Sequence, residues 1–319
     1  MKNKIKFIVN PSEITAGTRG SSLGPYAIMT AARKAKSTLF GTHEVEILSD
    51  ENQLLDNSDN HPFAKNIKGL VKVYETVSEA VNKSLQTGEF PIVLAADHGS
   101  AGGTIAGIKK AYPNKRLGVV WIDAHGDLHS PYTTPSGNMH GMPLSTVINE
   151  DNAPCKSNEV DAETRDLWNV LKNMHGIAPK VLPSDLIFVG VRDTEHQEDA
   201  LIERLNITNH KVETVREKGI DAILKAIEDQ LAECEILYIS FDVDSMDPDI
   251  TSYGTGTPVK NGLTPAEAQQ LILGLMENEK TVCFEIVEVN PCLDDKVNEM
   301  AEVTFGILNE VVEQFEKTK

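Results

Sequence analysis

Short apolar runs rich in β-branched residues recur along the chain and predict seven β-strands: Ile5–Val9, Glu44–Leu48, Pro91–Ala95, Gly118–Ile122, Leu186–Val191, Ile236–Phe241 and Thr281–Glu288. Apolar residues at helical spacing predict helices between them: Gly24–Lys36, Ile67–Thr87, Thr104–Ala111, Asp199–Leu205, Gly219–Cys234, Thr264–Asn278 and Asp295–Lys317. Strands that alternate with helices pair in parallel, so the pattern predicts a doubly wound α/β sheet.

Domain organisation follows from the same pattern. A chain of 319 residues is long enough for one α/β domain or two smaller ones. Because there is no internal repeat and no linker rich in Pro, Gly or Ser, we predict one domain over residues 1–319. Residues 149–180 lack a clear hydrophobic period and contain Asn, Pro, Gly and charged residues. We predict that this segment is a surface excursion between two core strands.

The net charge of the chain argues against some classes of binding partner. A formal charge of -18 argues against binding to nucleic acid or to an anionic membrane surface, and it favours a cationic ligand. The run Ile5–Val9 is followed at once by Asn, Pro and Ser, so it predicts a first strand and not a signal peptide. No segment is long enough to span a bilayer. The four cysteines show no CxxC spacing, which favours reduced thiols in a cytoplasmic protein.

Polar side chains follow four of the predicted strands, at or just beyond the point where each strand ends. They are Asp97 and His98; Asp123, His125 and Asp127; Asp193, Glu195 and Glu198; and Asp242 and Asp244. Open α/β sheets bind ligands at the carboxyl ends of their strands, so we expect these groups to meet. The spacing of two residues within Asp123-Ala-His125-Gly-Asp127 and Asp242-Val-Asp244 directs the side chains to one side of an extended chain.

The expected ligands suit a pair of divalent metal ions. They are His98, Asp123, His125, Asp127, Asp242 and Asp244, which provide four carboxylates and two imidazoles. These six side chains are too many to bind one ion well, whereas two ions bridged by shared carboxylates can bind all six. Such a pair lowers the pKa of a bridging water and makes hydroxide available near neutral pH. The oxygen-rich set favours two Mn²⁺ over Zn²⁺, although the ligands alone leave Co²⁺ or another divalent ion open.

Four ordered segments resemble the ureohydrolases, and among these most closely the arginases. They are AADHGSAGGT, WIDAHGDLHSPYTTPSGNMHGMPLS, ISFDVDSMDPDI with TGTPVKNGLT, and FEIVEVNP. A looser similarity lies in GTRGSSLGP, a glycine-rich stretch that lacks the Gly-Lys-Ser/Thr ending of a phosphate loop. The resemblance implies a single three-layer α/β/α domain with a parallel sheet of about eight strands.

The resemblance also assigns roles within the site. It places the metal ligands on the six residues proposed above, and Asp127 in addition accepts a hydrogen bond from the metal-bridging hydroxide. It implies that His140 is a mobile proton shuttle to the leaving amine. It implies that Glu288 binds the guanidinium through a charge-assisted hydrogen bond, with Thr257 as a further pocket residue.

Further positions concern the amino-acid end of the substrate. The resemblance places the contacts to an α-carboxylate on Thr134, Ser136 and Asn138, which favours arginine over agmatine. Two nearby positions depart from the arginase pattern: His129 stands where Asn is common, and Glu195 stands where Asp is common as a contact to the α-amino group. Glu198 matches the second acidic residue of that contact. We interpret His129 as a rim contact to the substrate carboxylate in preference to an added neighbour of the metals. The first metal motif departs as well, with Ala95-Ala96 and Gly99 in place of Gly-Gly and Ser.

The sequence therefore predicts a manganese-dependent hydrolase that converts L-arginine and water to L-ornithine and urea. One alternative is an agmatinase or another ureohydrolase acting on a guanidino acid. A second alternative, from a different class, is a metal-binding relative that has lost catalysis. The resemblance implies a homo-oligomer, a trimer or hexamer, in which Asp295–Lys317 is a candidate contact helix.

Overall fold

Eight β-strands form one sheet in the computed structural model, which describes residues 4–57 and 60–318. They are β1 (Lys4–Asn10), β2 (Glu44–Ile47), β3 (Glu89–Ala95), β4 (Leu117–Ile122), β5 (Leu186–Val189), β6 (Thr208–His210), β7 (Ile236–Asp242) and β8 (Thr281–Val287). The seven predicted runs correspond to all of these except β6. β6 was not predicted because its three residues are polar; it is an edge strand that pairs only with β5.

The described α-helices mostly lie between the strands. They are α1 (Gly24–Lys34), α2 (Leu39–Thr42), α3 (Ile67–Gln86), α4 (Ala101–Ala111), α5 (Pro143–Ile148), α6 (Ala162–Lys172), α7 (His196–Leu205), α8 (Val212–Lys218), α9 (Ile220–Gln230), α10 (Pro265–Met276) and α11 (Glu299–Thr318). The seven predicted helices correspond to α1, α3, α4, α7, α9, α10 and α11. No helix among the described residues combines the length and the apolar character needed to cross a membrane.

All strand pairings are parallel, and the strand order is β2-β1-β3-β8-β7-β4-β5-β6. Successive apolar side chains of β1, β3, β4, β5, β7 and β8 enter different apolar clusters; on β3, Ile92 and Leu94 join one cluster and Val93 joins the other. The first cluster includes α1 and α8–α11, and the second includes α3–α7. Helices therefore cover both faces of the sheet, which confirms the predicted three-layer α/β/α fold.

Residues 149–180 contain α6, a helix that the hydrophobic pattern did not predict. Trp168 and Leu171 are fully buried in the cluster beside α3. The indole Nε1 of Trp168 donates to Asp151 Oδ1 at 2.7 Å, and Lys172 Nζ donates to the same atom at 2.6 Å. The segment predicted as a surface excursion thus includes a packed helix, whose narrow apolar stripe is obscured in the sequence by charged neighbours.

Candidate active site

The strand order brings the polar residues together at one edge of the sheet. β3, β8, β7, β4 and β5 are consecutive neighbours, and each leads at its carboxyl end into a residue proposed for the site or next to one. These are His98 after β3, Glu288 after β8, Asp242 at the end of β7, Asp123 after β4 and Asp193 after β5. Parallel pairing places all five ends on the same edge, so the sequence positions meet although they are far apart in the chain.

One cluster of possible ligands surrounds the imidazole of His98. Its Nδ1 atom lies 3.0 Å from Asp123 Oδ2, 3.2 Å from Asp127 Oδ2 and 3.1 Å from Asp242 Oδ2. All four side chains are buried. One imidazole nitrogen and three carboxylate oxygens thus converge on one point from three strand ends.

A second cluster shares Asp123 with the first. His125 Nδ1 lies 3.5 Å from Asp123 Oδ1 and 3.0 Å from Asp244 Oδ2. Asp123 therefore presents one oxygen to each cluster, which is the arrangement expected of a carboxylate that bridges two cations. All six residues predicted as ligands are brought together in these two groups.

The donor set fits divalent metal ions. Among the described residues, His98 Nδ1 and Asp123 Oδ2 are buried polar atoms without a hydrogen-bond partner, and uncompensated atoms of this kind are costly. The other ring nitrogen, His98 Nε2, forms a 2.7 Å hydrogen bond with Ser240 Oγ, and the ring stacks on Trp121 with centroids 3.9 Å apart. The ring is thus fixed with Nδ1 facing the carboxylates, as a metal ligand requires.

The pKa shifts of the buried aspartates also support a site for metal ions. Burial raises the pKa of Asp242 well above its usual range, and the charges of Asp244 and Asp123 raise it further. Burial together with Asp123 also raises the pKa of Asp127. Crowded carboxylates of this kind favour their charged form only when cations compensate them.

Glu288 lies beside the first cluster. Its Oε1 atom accepts a hydrogen bond from the backbone N–H of His98 at 2.9 Å and lies 3.5 Å from His140 Nδ1. Burial opposes protonation of His140, but Glu288, Asp127 and Asp97 outweigh it and raise the pKa of His140. Glu288 and Asp127 both have a left-handed backbone, with φ of 68° and 50°, an uncommon conformation for residues other than glycine.

A cavity of about 310 Å³ opens onto both clusters. The described residues that line it include most of the predicted site: His98, His125, Asp127, His129, Thr134, Ser136, Asn138, His140, Glu195, Glu198, Asp242, Asp244 and Thr257; Asp123 and Glu288 are not among them. Thr257 Oγ1 donates to Asp244 Oδ2 at 3.1 Å, so this residue also contacts a possible ligand. Among the described residues, those that line a larger depression between α9 and α10 include neither histidine nor cysteine.

The loop from Thr134 to Asn138 forms one wall of the cavity. Thr134 Oγ1 accepts hydrogen bonds from the backbone N–H groups of Gly137 at 2.9 Å and Ser136 at 3.3 Å. Ser136 Oγ accepts the N–H of Asn138 at 3.1 Å. The polar side chains of the loop therefore hold its turns and face the cavity at the same time.

His129 lies against the acidic residues of the opposite wall. It is buried; its Nε2 atom lies 3.0 Å from Glu195 Oε2 and 3.6 Å from Glu198 Oε2, while Nδ1 contacts Thr133 Oγ1 at 3.1 Å. Glu198 in turn accepts hydrogen bonds from the backbone N–H groups of Leu128 and Glu195. These bonds connect the loop after β4 to the start of α7. These contacts place His129 next to the two acidic residues expected to meet the substrate's amino group.

Comparison with known proteins identifies the family. The profile of the arginase family matches residues 3–313, nearly the whole chain. The chain belongs to the arginase family. An arginase from Bacillus subtilis (strain 168) is 32% identical over 296 residues, which are 93% of each chain. The structure of arginase from Bacillus caldovelox superposes with a TM-score of 0.81 at 30% identity, over 97% of this chain and 98% of that one.

The fold is shared more widely than the arginases. The crystal structure of agmatine ureohydrolase of Thermoplasma volcanium superposes with a TM-score of 0.70 at 20% identity, over 99% of this chain and 91% of that one. At this identity the likeness concerns the fold alone. The choice between substrates within the arginase family therefore depends on the side chains of the cavity.

Ser240 and Thr15 of this arginase-family site were not predicted to take part. Ser240 lies two positions before Asp242 on β7, so strand alternation could have revealed it. Asp97 Oδ2 accepts the backbone N–H of Thr15 at 2.9 Å, and Thr15 O accepts the N–H of His140 at 3.3 Å. The departure at Gly99 has a steric reason, because a Cβ there would lie 2.3 Å from Thr15 Oγ1.

Proposed function

We propose that this protein is a manganese-dependent amidinohydrolase that converts L-arginine and water to L-ornithine and urea. The observation that carries the proposal is the pair of ligand clusters joined by Asp123: a cavity opens onto both clusters, and the buried carboxylate of Glu288 lies beside the first. The residues proposed as metal ligands are His98, Asp123, His125, Asp127, Asp242 and Asp244.

The metal pair has one chemical task. Two divalent cations, when bound, supply the positive charge that lowers the pKa of a water molecule and makes it a nucleophile near neutral pH. Four carboxylates against two imidazoles support manganese, and cobalt is the next candidate on ligand chemistry.

The side chains around the metal site do the remaining work. Glu288 binds the guanidinium through a charge-assisted hydrogen bond and directs its carbon toward the metal site, while Asp127 accepts a hydrogen bond from the attacking oxygen. His140, within 3.5 Å of Glu288, carries a proton to the departing amine. Because the carboxylate of Glu288 is held by the His98 amide, guanidinium and metal site are kept in fixed relation.

The amino-acid end of the cavity supports arginine as the substrate. Thr134, Ser136 and Asn138 provide polar groups suited to a carboxylate, and Glu195 and Glu198 provide acceptor oxygens suited to an ammonium group. The second candidate is agmatine, which has the amine but lacks the carboxylate. It is favoured by the acidic wall around His129, where the amine alone would be bound.

The experiment is a measurement of urea release from L-arginine, agmatine and a guanidino acid after loading the protein with Mn²⁺. We expect kcat/KM to be highest for L-arginine. A higher value for agmatine would replace arginine as the substrate. Absence of urea from all three would favour the metal-binding relative without catalysis. A trimer or hexamer and a cytoplasmic location stay predictions of the sequence.

A further inference from the structure

The segment of residues 60–66, here called the rim segment, packs tightly against the recognition loop, residues 134–140. The backbone N–H of Lys65 donates to Gly137 O at 2.9 Å. Gly137 has a φ of 76°, and a Cβ at this position would lie 2.0 Å from Pro62 O. The rim segment thus touches the loop at a position where no side chain fits.

Lys65 makes the polar contact between the two segments. Its Nζ atom donates to Asn138 Oδ1 at 3.1 Å. An ammonium group is a donor only, so the amide oxygen of Asn138 must face Lys65 and the Nδ2 group must point away from it. On that other side lies Gly17, where a Cβ would come within 2.7 Å of Asn138 Nδ2. Lys65 therefore fixes which side of Asn138 can donate a hydrogen bond.

The positive charge of Lys65 gives its contact with Asn138 a second role. Among the described residues that line the cavity there is no lysine or arginine, whereas Asp193, Glu195 and Glu198 border its amino-acid end. The carboxylates of Asp193 and Glu195 repel an anionic group on a ligand. Lys65, one hydrogen bond behind Asn138, supplies a positive charge on the side of the recognition loop.

We propose that Lys65 is a positioning residue that sets the selectivity of the site for guanidino compounds with an anionic group at the amino-acid end. It does so by holding Asn138 as a hydrogen-bond donor and by offsetting the negative charge of the opposite wall. This inference rests on the proposed function and extends it, because it names a residue outside the cavity lining as the reason why a carboxylate is accepted.

The test compares Lys65→Met and Lys65→Arg with a matched control, Lys68→Met. Lys68 is exposed in the first turn of α3, and its Nζ pairs with Glu163 of α6 at 2.7 Å. In Lys65→Met we expect KM for L-arginine to rise about three- to tenfold, the range of one hydrogen bond to a charged group at a partly exposed position, with kcat little changed. Agmatine kinetics should not change, Lys65→Arg should largely restore the KM for arginine, and Lys68→Met should behave as wild type.

A binding measurement separates this inference from the proposed function. Calorimetry on the manganese-loaded protein compares L-ornithine with 1,4-diaminobutane, which is the same diamine without the carboxylate. A preference of the wild type for ornithine that falls in Lys65→Met supports the inference even if no urea is released. No preference in the wild type, or an unchanged preference in Lys65→Met, overturns it even if arginine is hydrolysed. Equal loss of arginine and agmatine turnover in Lys65→Met also overturns it.

Discussion

The backbone N–H of His98 donates a hydrogen bond to Glu288 Oε1 at 2.9 Å. A residue proposed to bind a metal ion thus holds, through its main chain, the carboxylate proposed to bind the guanidinium. Glu288 adopts this position with a φ of 68°, directly after the last residue of β8. The junctions after β3 and β8 therefore position the two halves of the reaction relative to each other.

Replacing Glu288 with Gln tests this arrangement. The amide oxygen can still accept the N–H of His98, but the negative charge that attracts the guanidinium is lost. We expect kcat/KM for L-arginine to fall about 10- to 100-fold, with unchanged metal content and a melting temperature near that of the wild type. Steady-state kinetics and elemental analysis measure both quantities. Wild-type kinetics in this variant would show that Glu288 does not bind the substrate.

Ser240 fixes the orientation of the His98 ring through the 2.7 Å contact to Nε2. Partners of this kind typically contribute 10- to 100-fold in metal affinity, so we expect Ser240→Ala to weaken manganese binding by about that factor. Titration against a competing chelator gives the affinity. Ser84→Ala, at a buried serine of α3, is the control and should bind manganese as the wild type does. Equal manganese affinities in the two variants would show that Ser240 does not support the metal site.

His129 Nε2 lies 3.0 Å from Glu195 Oε2, the carboxylate oxygen that we expect a substrate ammonium group to use. We therefore expect His129→Asn to lower KM about two- to fivefold for L-arginine and for agmatine, both of which carry the amine. A guanidino acid without the amine is the internal control, and its KM should not change. A rise in KM for the two amines would mean that His129 assists binding.

Trp168 anchors α6 to the core. Truncation of a buried tryptophan typically costs about 3–5 kcal/mol, so we expect Trp168→Ala to lower the free energy of unfolding by this amount. Val170, on the exposed side of the same helix, is the control, and Val170→Ala should change it by less than about 0.5 kcal/mol. Denaturant-induced unfolding measures both. A loss below about 1 kcal/mol in Trp168→Ala would show that α6 is a loosely attached surface element.

Much of the fold could be predicted because its signals are local. Strands buried on both faces have continuous apolar runs, and the acidic and imidazole residues begin where those runs end. β6 escaped prediction because an edge strand of three polar residues has no such run. α6 escaped it because its few buried residues stand among charges.

In the candidate site, too, the residues with a local sequence signal could be predicted and the contacts between distant residues could not. The six proposed metal ligands could be listed from spacing and strand ends, and the chain brings them together in space. Lys65 and Asn138, in contrast, are 73 positions apart, and nothing in the sequence around Lys65 distinguishes it from other exposed lysines. The contact between His129 and Glu195 likewise depends on how the start of α7 packs against the loop after β4.

The most direct test of the account is a titration of metal-free protein with Mn²⁺, in which bound ions and urea release from L-arginine are measured together. We predict two ions per chain, with activity that rises as they bind. His140→Ala should bind the same two ions and turn over more slowly, whereas Asp242→Ala should lose bound metal and activity together. Urea release without bound metal, or full activity in Asp242→Ala, would contradict the account.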